Sequence, residues 1–137
     1  MRFTLATAVA VFGATAFAQT AFENIKISDF SAQKSETDGS LLNVNFKLDG
    51  GEATGITCTS DAATTLPQPD TPCSDKAYMF SLSKGAASEL SVKITHDSKQ
   101  SGTLSGSTDV AANCRAGGSS RQVCTQSGDI NFILSKY

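Results

Sequence analysis

The first candidate for acid–base chemistry in this chain is His96, the only histidine. It lies in the segment Thr95-His96-Asp97, just after a predicted strand. A Ser-His-Asp triad through it would need a serine nucleophile, but the sequence has no Gly-x-Ser-x-Gly segment of the kind that holds one in a sharp turn. We therefore expect His96 to be a solvated residue at a strand end.

The other reactive groups, carboxylates and cysteines, form no recognisable centre. A glycosidase needs two facing carboxylates, whereas the aspartates here lie in predicted turns and near strand ends, where aspartate commonly bonds its own backbone. One histidine and four cysteines at these spacings match no compact zinc pattern, and there is no EF-hand loop. The sequence thus predicts no catalytic residues, no metal, no cofactor and no enzyme activity.

The four cysteines predict two disulfides. They are Cys58, Cys73, Cys114 and Cys124, an even number in a chain that we expect to reach an oxidising compartment. Sequence alone permits three connectivities. Both short intervals contain turn-forming residues, so we expect the local pairs Cys58–Cys73 and Cys114–Cys124. Each would close a loop of about 10 to 15 residues, which contributes roughly 2 to 3 kcal/mol in the chain-entropy estimate.

The N-terminus has the features of a secretory signal peptide. Arg2 precedes an apolar stretch from Phe3 to Phe17 that is too short to span a bilayer comfortably, and small residues surround the predicted cleavage site after Ala18. We expect residues 1–18 to be removed and the protein to be secreted. Residues 19–137 would then form one domain.

The charge of this mature part excludes two classes of partner. Ten Lys and Arg residues against thirteen Asp and Glu residues give a formal net charge of −3 once Arg2 is removed. The basic residues are scattered singly, whereas nucleic acid or an anionic membrane requires a clustered basic face. We expect neither nucleic-acid binding nor membrane insertion.

Apolar residues at every second position predict short strands throughout the mature part. The segments are Asn24 to Phe30; Leu42, Val44, Phe46 and Leu48; Thr54 to Thr59; Tyr78, Phe80 and Leu82; Leu90, Val92 and Ile94; Gly102 to Val110; and Ile130, Phe132 and Leu134. We expect polar or proline-containing connections at Ser31 to Ser40, Ser60 to Asp75 and Cys114 to Cys124.

These strands predict an all-β fold. No stretch has apolar residues at helical spacing over the ten or more residues that a stable helix needs. Seven or eight short strands, joined mainly as hairpins, must each bury one face. A small antiparallel β-barrel or sandwich with two local disulfides achieves this.

With the strands and cysteines placed, the run from Ile25 to Leu134 resembles the major Alternaria allergen family, a group of small secreted fungal β-barrel proteins. The spacing of Cys58 and Cys73 also fits the first disulfide of that family. The stretches that carry the resemblance are Ile25 to Phe30, Asp49-Gly50-Gly51, Ile56-Thr57-Cys58, Asn113 to Gly118, and Val123-Cys124.

The resemblance implies a fungal protein without enzymatic activity that acts as an elicitor or effector. Some members provoke plant defence or cell death, and others are allergens. The implied partners are a host plant protein, extracellular or at the membrane surface, such as a defence protein, and a flavonoid-like ligand. Some members carry a further cysteine that links two barrels, but none precedes Cys58 here, so we expect a monomer.

A candidate recognition loop lies inside the second cysteine pair, at Arg115, Gly117, Gly118 and Arg121. The alternative is that the two glycines serve only a tight turn in which side chains would clash. Two other functions stay open: a carrier in which the inward residues Phe46, Phe80 and Phe132 leave a cavity, and an inhibitor of a secreted host enzyme.

Overall fold

The computed structural model of the protein describes residues 21–136, whose regular structure consists of antiparallel strands. This confirms the all-β prediction. None of the described residues belongs to a helix able to cross a membrane. The predicted signal peptide, residues 1–18, lies outside the described residues.

The described residues form ten strands, which are β1 (Phe22–Ser35), β2 (Leu41–Asp49), β3 (Ile56–Ser60), β4 (Thr71–Pro72), β5 (Tyr78–Ser83), β6 (Leu90–Ser98), β7 (Gly102–Val110), β8 (Ala112–Ala116), β9 (Arg121–Gln126) and β10 (Ile130–Ser135).

The first strand, β1, changes its inward face half-way along its 14 residues. Odd-numbered side chains are buried up to Ile27, and even-numbered ones are buried from Phe30 onward. The cause is a β-bulge at Asp29, which has a left-handed backbone conformation with φ of 54°. The extra residue shifts the alternation by one position and bends the strand.

The second half of β1 corrects a sequence prediction. We expected the polar segment from residue 31 onward to be a connection, but the strand continues through Ser35. Its inward positions carry Ala32 and Lys34 instead of large apolar residues, so the strand pattern is weak. The Lys34 ammonium reaches the Glu89 carboxylate at 3.3 Å, which allows a lysine to be buried there.

Strand β1 organises the sheet because it pairs along both edges. One edge pairs with β2, and the other pairs first with β10 and then, beyond the bulge, with β9. The strand order is β3-β2-β1-β10-β7-β6-β5-β4, and β8 adds to β9 beside the second half of β1.

The two ends of this strand order, β3 and β4, meet and nearly close the sheet into a barrel. The Cys58–Cys73 disulfide joins β3 to the residue that follows β4. Beside it, Ser74 donates its backbone N–H to the Thr57 carbonyl at 2.8 Å, and the Thr57 N–H donates to the Ser74 hydroxyl at 3.0 Å. The predicted disulfide is confirmed, and it closes a seam where no regular ladder between β3 and β4 is formed in the described part.

The barrel interior is a packed apolar core. The Phe46 ring lies between those of Phe30 and Phe80, with centroid distances of 5.8 and 5.1 Å. Edge-to-face and offset arrangements of this kind are favourable for aromatic rings. The largest fully buried apolar side chains beside these are Ile25, Ile27, Leu41, Leu48, Leu82, Leu90, Ile94 and Leu134.

Two details of the predicted core differ from the structure. Leu41 is buried and Leu42 is only half-buried, because the ladder between β1 and β2 shifts register near Leu41. Phe132 packs against the core but is also only half-buried. The inward positions predicted for Phe46 and Phe80 are confirmed.

Candidate functional site

The four residues of the candidate recognition loop come together at the end of a β-hairpin. The segment from Cys114 to Cys124, predicted as a loop, contains parts of the paired strands β8 and β9. The loop prediction is wrong because its residues are mainly polar and small, so the strand alternation is invisible in the sequence. The predicted Cys114–Cys124 disulfide is confirmed and joins directly opposed residues, with a Cα–Cα distance of 4.0 Å.

The tip of this hairpin has a tightly wound backbone. Gly118, Ser119 and Ser120 all have left-handed φ angles, of 79°, 52° and 59°. The Gly117 N–H donates to the Arg121 carbonyl at 2.7 Å, which closes the turn. A Cβ at Gly117 would lie 2.6 Å from a Val123 methyl group, so glycine is required there for close packing. The two glycines therefore serve a tight turn, as the alternative interpretation of this loop predicts.

Two positive charges flank this tip. Arg115 in β8 and Arg121 in β9 are both exposed. Arg121 donates to the Gln33 side chain of β1 at 3.3 Å. Within residues 21–136, neither guanidinium lies within ion-pair distance of a carboxylate. The hairpin therefore presents two arginines on a backbone that is fixed by a disulfide and by the ladder to β1.

A second polar cluster corrects the prediction for His96. This residue is only 1% exposed, at an inward position of β6, and is not solvated. Its Nδ1 lies 2.5 Å from Oε2 of Glu23, which is also buried. Oε1 of Glu23 accepts hydrogen bonds from the Tyr78 hydroxyl and from the Gly51 N–H, each at 2.7 Å. The carboxylate thus joins β1 to β5, β6 and the turn after β2.

Further contacts continue the cluster to the protein surface. The Tyr78 and His96 rings stack with a centroid distance of 3.8 Å and an interplanar angle of 8°. Nε2 of His96 lies 3.4 Å from Oε2 of the partly exposed Glu52. The Ser98 hydroxyl donates to the other oxygen of Glu52 at 2.6 Å.

This geometry does not match a serine-nucleophile triad. The serine nearest in the cluster, Ser98, donates its hydroxyl to Glu52, and the described hydrogen bonds of His96 involve no serine. In the described chain, no group of three or more His, Cys, Asp or Glu side chains is placed to hold a metal ion. The contacts of the cluster are instead cross-links between strands.

The Gly50-Gly51 turn fits closely over this cluster. A Cβ at Gly50 would overlap the Tyr78 hydroxyl, and a Cβ at Gly51 would lie 3.2 Å from Cγ of Glu23. In the sequence these glycines stand out only through the family resemblance that Asp49-Gly50-Gly51 carries. Glu23 is a functional residue that the sequence analysis does not name, although the alternation of Ile25 and Ile27 extends back to it and predicts its inward position.

Comparison with known proteins identifies the family of this chain. The sequence model of the Alternaria alternata allergen 1 family matches residues 27–125. The chain belongs to this family. The match begins in β1 and ends in β9. It therefore includes both disulfides and the hairpin that carries Arg115 and Arg121, which we call the arginine hairpin.

Relatives and solved structures agree with the family assignment. Effector protein PevD1 of Verticillium dahliae is 34% identical over 147 aligned positions, which cover 98% of this chain and 94% of that protein. A crystal structure of Alternaria alternata allergen Alt a 1 has a TM-score of 0.67 at 20% identity and covers 82% of this chain and 87% of its own. A second structure of that allergen has a TM-score of 0.62, at the same identity and coverage of this chain. These structures share the fold of this family member.

The environment of Tyr78 makes the stability of this family member sensitive to alkaline pH. Burial, and then the hydrogen bond to Glu23, raise the pKa of the Tyr78 phenol well above its ordinary value of 10.0. Below about pH 10 the phenol is protonated in both the folded and the unfolded chain. In this range Tyr78 makes its full contribution to the free energy of unfolding. Above that pH the unfolded chain loses the proton first, so the contribution declines until the folded-state pKa is passed.

We predict that the free energy of unfolding falls above about pH 10, with a Tyr78 contribution of at most about 1.4 kcal/mol per pH unit. Urea unfolding at several alkaline pH values measures this, and Tyr78→Phe removes the contribution. In a Tyr137→Phe control, phenolate absorbance reports Tyr78 alone, because the chain has only two tyrosines. Titration of that absorbance near the ordinary pKa of tyrosine would contradict the prediction.

Proposed function

We propose that this protein is secreted by a fungus and acts without catalysis as an elicitor, which plant cells recognise and answer with a hypersensitive-type defence response. The observation that carries the proposal is the 34% identity to an effector protein over 98% of this chain. Similarity over nearly the whole chain favours a shared mode of action rather than a shared fold alone.

The arginine hairpin is the best candidate for the recognised surface. Arg115 and Arg121 are exposed, and arginine is enriched among the residues that dominate protein–protein binding energies. The Cys114–Cys124 disulfide holds the hairpin in one conformation before binding. A hairpin that is already ordered loses less conformational entropy when it binds a partner. We propose a host protein, extracellular or at the membrane surface, as the partner.

The buried cluster supports a role without catalysis. Glu23, Tyr78 and His96 are each less than 8% exposed and are bonded to one another. A catalytic acid or base must come within hydrogen-bond reach of a substrate. The polar atoms of these side chains contact one another, the Gly51 backbone and Glu52, which supports a structural role for the cluster.

Infiltration of the purified mature protein into leaves of several plant species tests this proposal. We predict a defence response to the wild-type protein, and an effective dose at least about tenfold higher for Arg115→Ala/Arg121→Ala, as expected when residues contributing more than 1 kcal/mol are removed. The matched control is Lys47→Ala/Lys93→Ala, which removes two exposed charges from β2 and β6.

The outcomes separate the two parts of the proposal. No response in any host would contradict the elicitor function. An equal response to wild-type protein and to the arginine variant would exclude the hairpin as the recognised surface.

A second candidate function is binding of a flavonoid-like ligand, and a surface cleft favours it. The inward rings of Phe46 and Phe80 pack against each other in the core. The half-buried Phe132 instead borders an outer cleft of about 540 Å³, together with Ile133 and Asn131. Clefts of this size that combine apolar and polar groups are typical of small-molecule sites.

Calorimetric titration with a flavonoid panel tests this candidate. We predict saturable binding that Phe132→Ala weakens by about tenfold, as for the loss of one large apolar contact. Phe22→Ala is the matched control, because Phe22 is 66% exposed and does not line this cleft. Absence of saturable binding, or equal weakening by both substitutions, would contradict the assignment.

A further inference from the structure

We propose that the outer edge of β8 binds an extended acidic segment of a partner protein, which adds to the sheet as a further strand. The inference deepens the proposed function and rests on it only in taking a host protein as that partner. Its basis is the hydrogen-bonding pattern, rigidity and charge of the hairpin formed by β8 and β9.

Strand β8 is an edge strand. It pairs with β9 alone, and β9 in turn pairs with β1. Within residues 21–136, no backbone hydrogen bond joins residues 112–116 to any strand other than β9. An edge of this kind presents a row of N–H and C=O groups that can pair with another extended chain.

The ladder identifies the groups that face outward. The Ser127 N–H donates to the Ala111 carbonyl at 3.0 Å, and at the other end the Gly117 N–H donates to the Arg121 carbonyl at 2.7 Å. Both pairs continue the register of β8 with β9. Hydrogen-bonded and non-hydrogen-bonded pairs alternate in an antiparallel ladder, so Asn113 and Arg115 bond to β9.

The alternate residues Ala112, Cys114 and Ala116 therefore direct their N–H and C=O groups away from β9. The distance across the disulfide agrees with this assignment. The Cα atoms of Cys114 and Cys124 are 4.0 Å apart, and non-hydrogen-bonded pairs are the more closely spaced type.

The edge is held in place before any partner arrives. The Cys114–Cys124 disulfide joins β8 to β9 at the middle of the hairpin, and Cys124 pairs with Ala32 of β1. A preformed strand loses little conformational entropy when another chain pairs with it. A cleft of about 680 Å³ between the start of β8 and the turn containing Ala86 leaves open space beside the strand.

The charges near this edge favour an acidic partner segment. Arg115 in β8 and Lys84 in the cleft are exposed cations beside the edge, whereas Arg121 in β9 reaches toward Gln33 of β1. The Glu89 carboxylate in the cleft is already engaged by Lys34 at 3.3 Å. Complementary charge across an interface steers association and selects the partner.

The test uses the synthetic peptide acetyl-(Val-Glu)₄-amide and the full mature protein labelled with ¹⁵N. Matched peptides are acetyl-(Val-Lys)₄-amide and a Val-Glu peptide in which the backbone N–H of every residue is N-methylated, which removes the hydrogen-bond donors from both edges of the extended peptide. We expect saturable binding of the first peptide, with slowed amide exchange at Ala112, Cys114 and Ala116. We expect both matched peptides to bind at least about fivefold more weakly, as for one lost hydrogen bond.

Protein variants provide a second arm. Ala116→Pro removes an outward N–H without removing a donor from the ladder to β9, and proline is tolerated on strand edges. We expect it to weaken peptide binding about fivefold. Lys47→Ala, remote in β2, is expected to leave the affinity unchanged. Because the N-methylated peptide needs no change to the protein, the test does not depend on the folding of the proline variant.

No saturable binding, equal binding of the N-methylated peptide, or exchange effects at residues away from β8 would overturn the inference. The leaf assay is separate. A leaf response without peptide binding would overturn the edge-strand inference alone, whereas peptide binding without a leaf response would overturn the elicitor function alone.

Discussion

The pairing of β1 along both of its edges is the constraint on which the rest of the barrel depends. Its first half lies between β2 and β10, and its second half lies between β2 and β9. The bulge at Asp29 makes this change of partner possible, because it re-aims the strand while each half still buries every second side chain. Without the second half, the hairpin of β8 and β9 would have no sheet to join.

The two halves of β1 have different tasks. The first half carries Glu23 into the buried cluster, where one carboxylate accepts bonds from Tyr78 and the Gly51 backbone and contacts His96. A buried carboxylate is tolerated only with such partners, so the cluster fixes how β5, β6 and the turn after β2 sit on β1. The second half supports the arginine hairpin, the part of the surface to which we assign recognition.

The sequence was sufficient to predict the fold class where large apolar residues alternate, as in β2, β5 and β6. It was insufficient where small or polar residues occupy inward positions. Ala32 and Lys34 hide the second half of β1, and the polar, small-residue composition around Cys114 hides a hairpin. The expectation that His96 is solvated is wrong because its alternation with Ile94 continues the inward face of β6. Its partner Glu23 is 73 residues away, and no local pattern reports such a contact.

For the recognition residues, too, the sequence predicts the residue types but not their arrangement. Their chemistry, two arginines and two glycines between paired cysteines, was visible in the sequence. The exposure of the arginines, the backbone direction at Cys114 and the open edge of β8 depend on the register with β9 and on the attachment to β1, which only the three-dimensional arrangement supplies.

The Cys114–Cys124 disulfide keeps this hairpin rigid, while the barrel core does not depend on that bond. Amide hydrogen exchange in a Cys114→Ser/Cys124→Ser variant tests this dependence. We predict that the ladder amides of Arg115 and Val123 exchange up to about a hundredfold faster in this variant, as for the loss of roughly 2 to 3 kcal/mol, while core amides such as that of Phe46 keep their wild-type rates. Unchanged exchange at the hairpin, or faster exchange throughout the barrel, would contradict it.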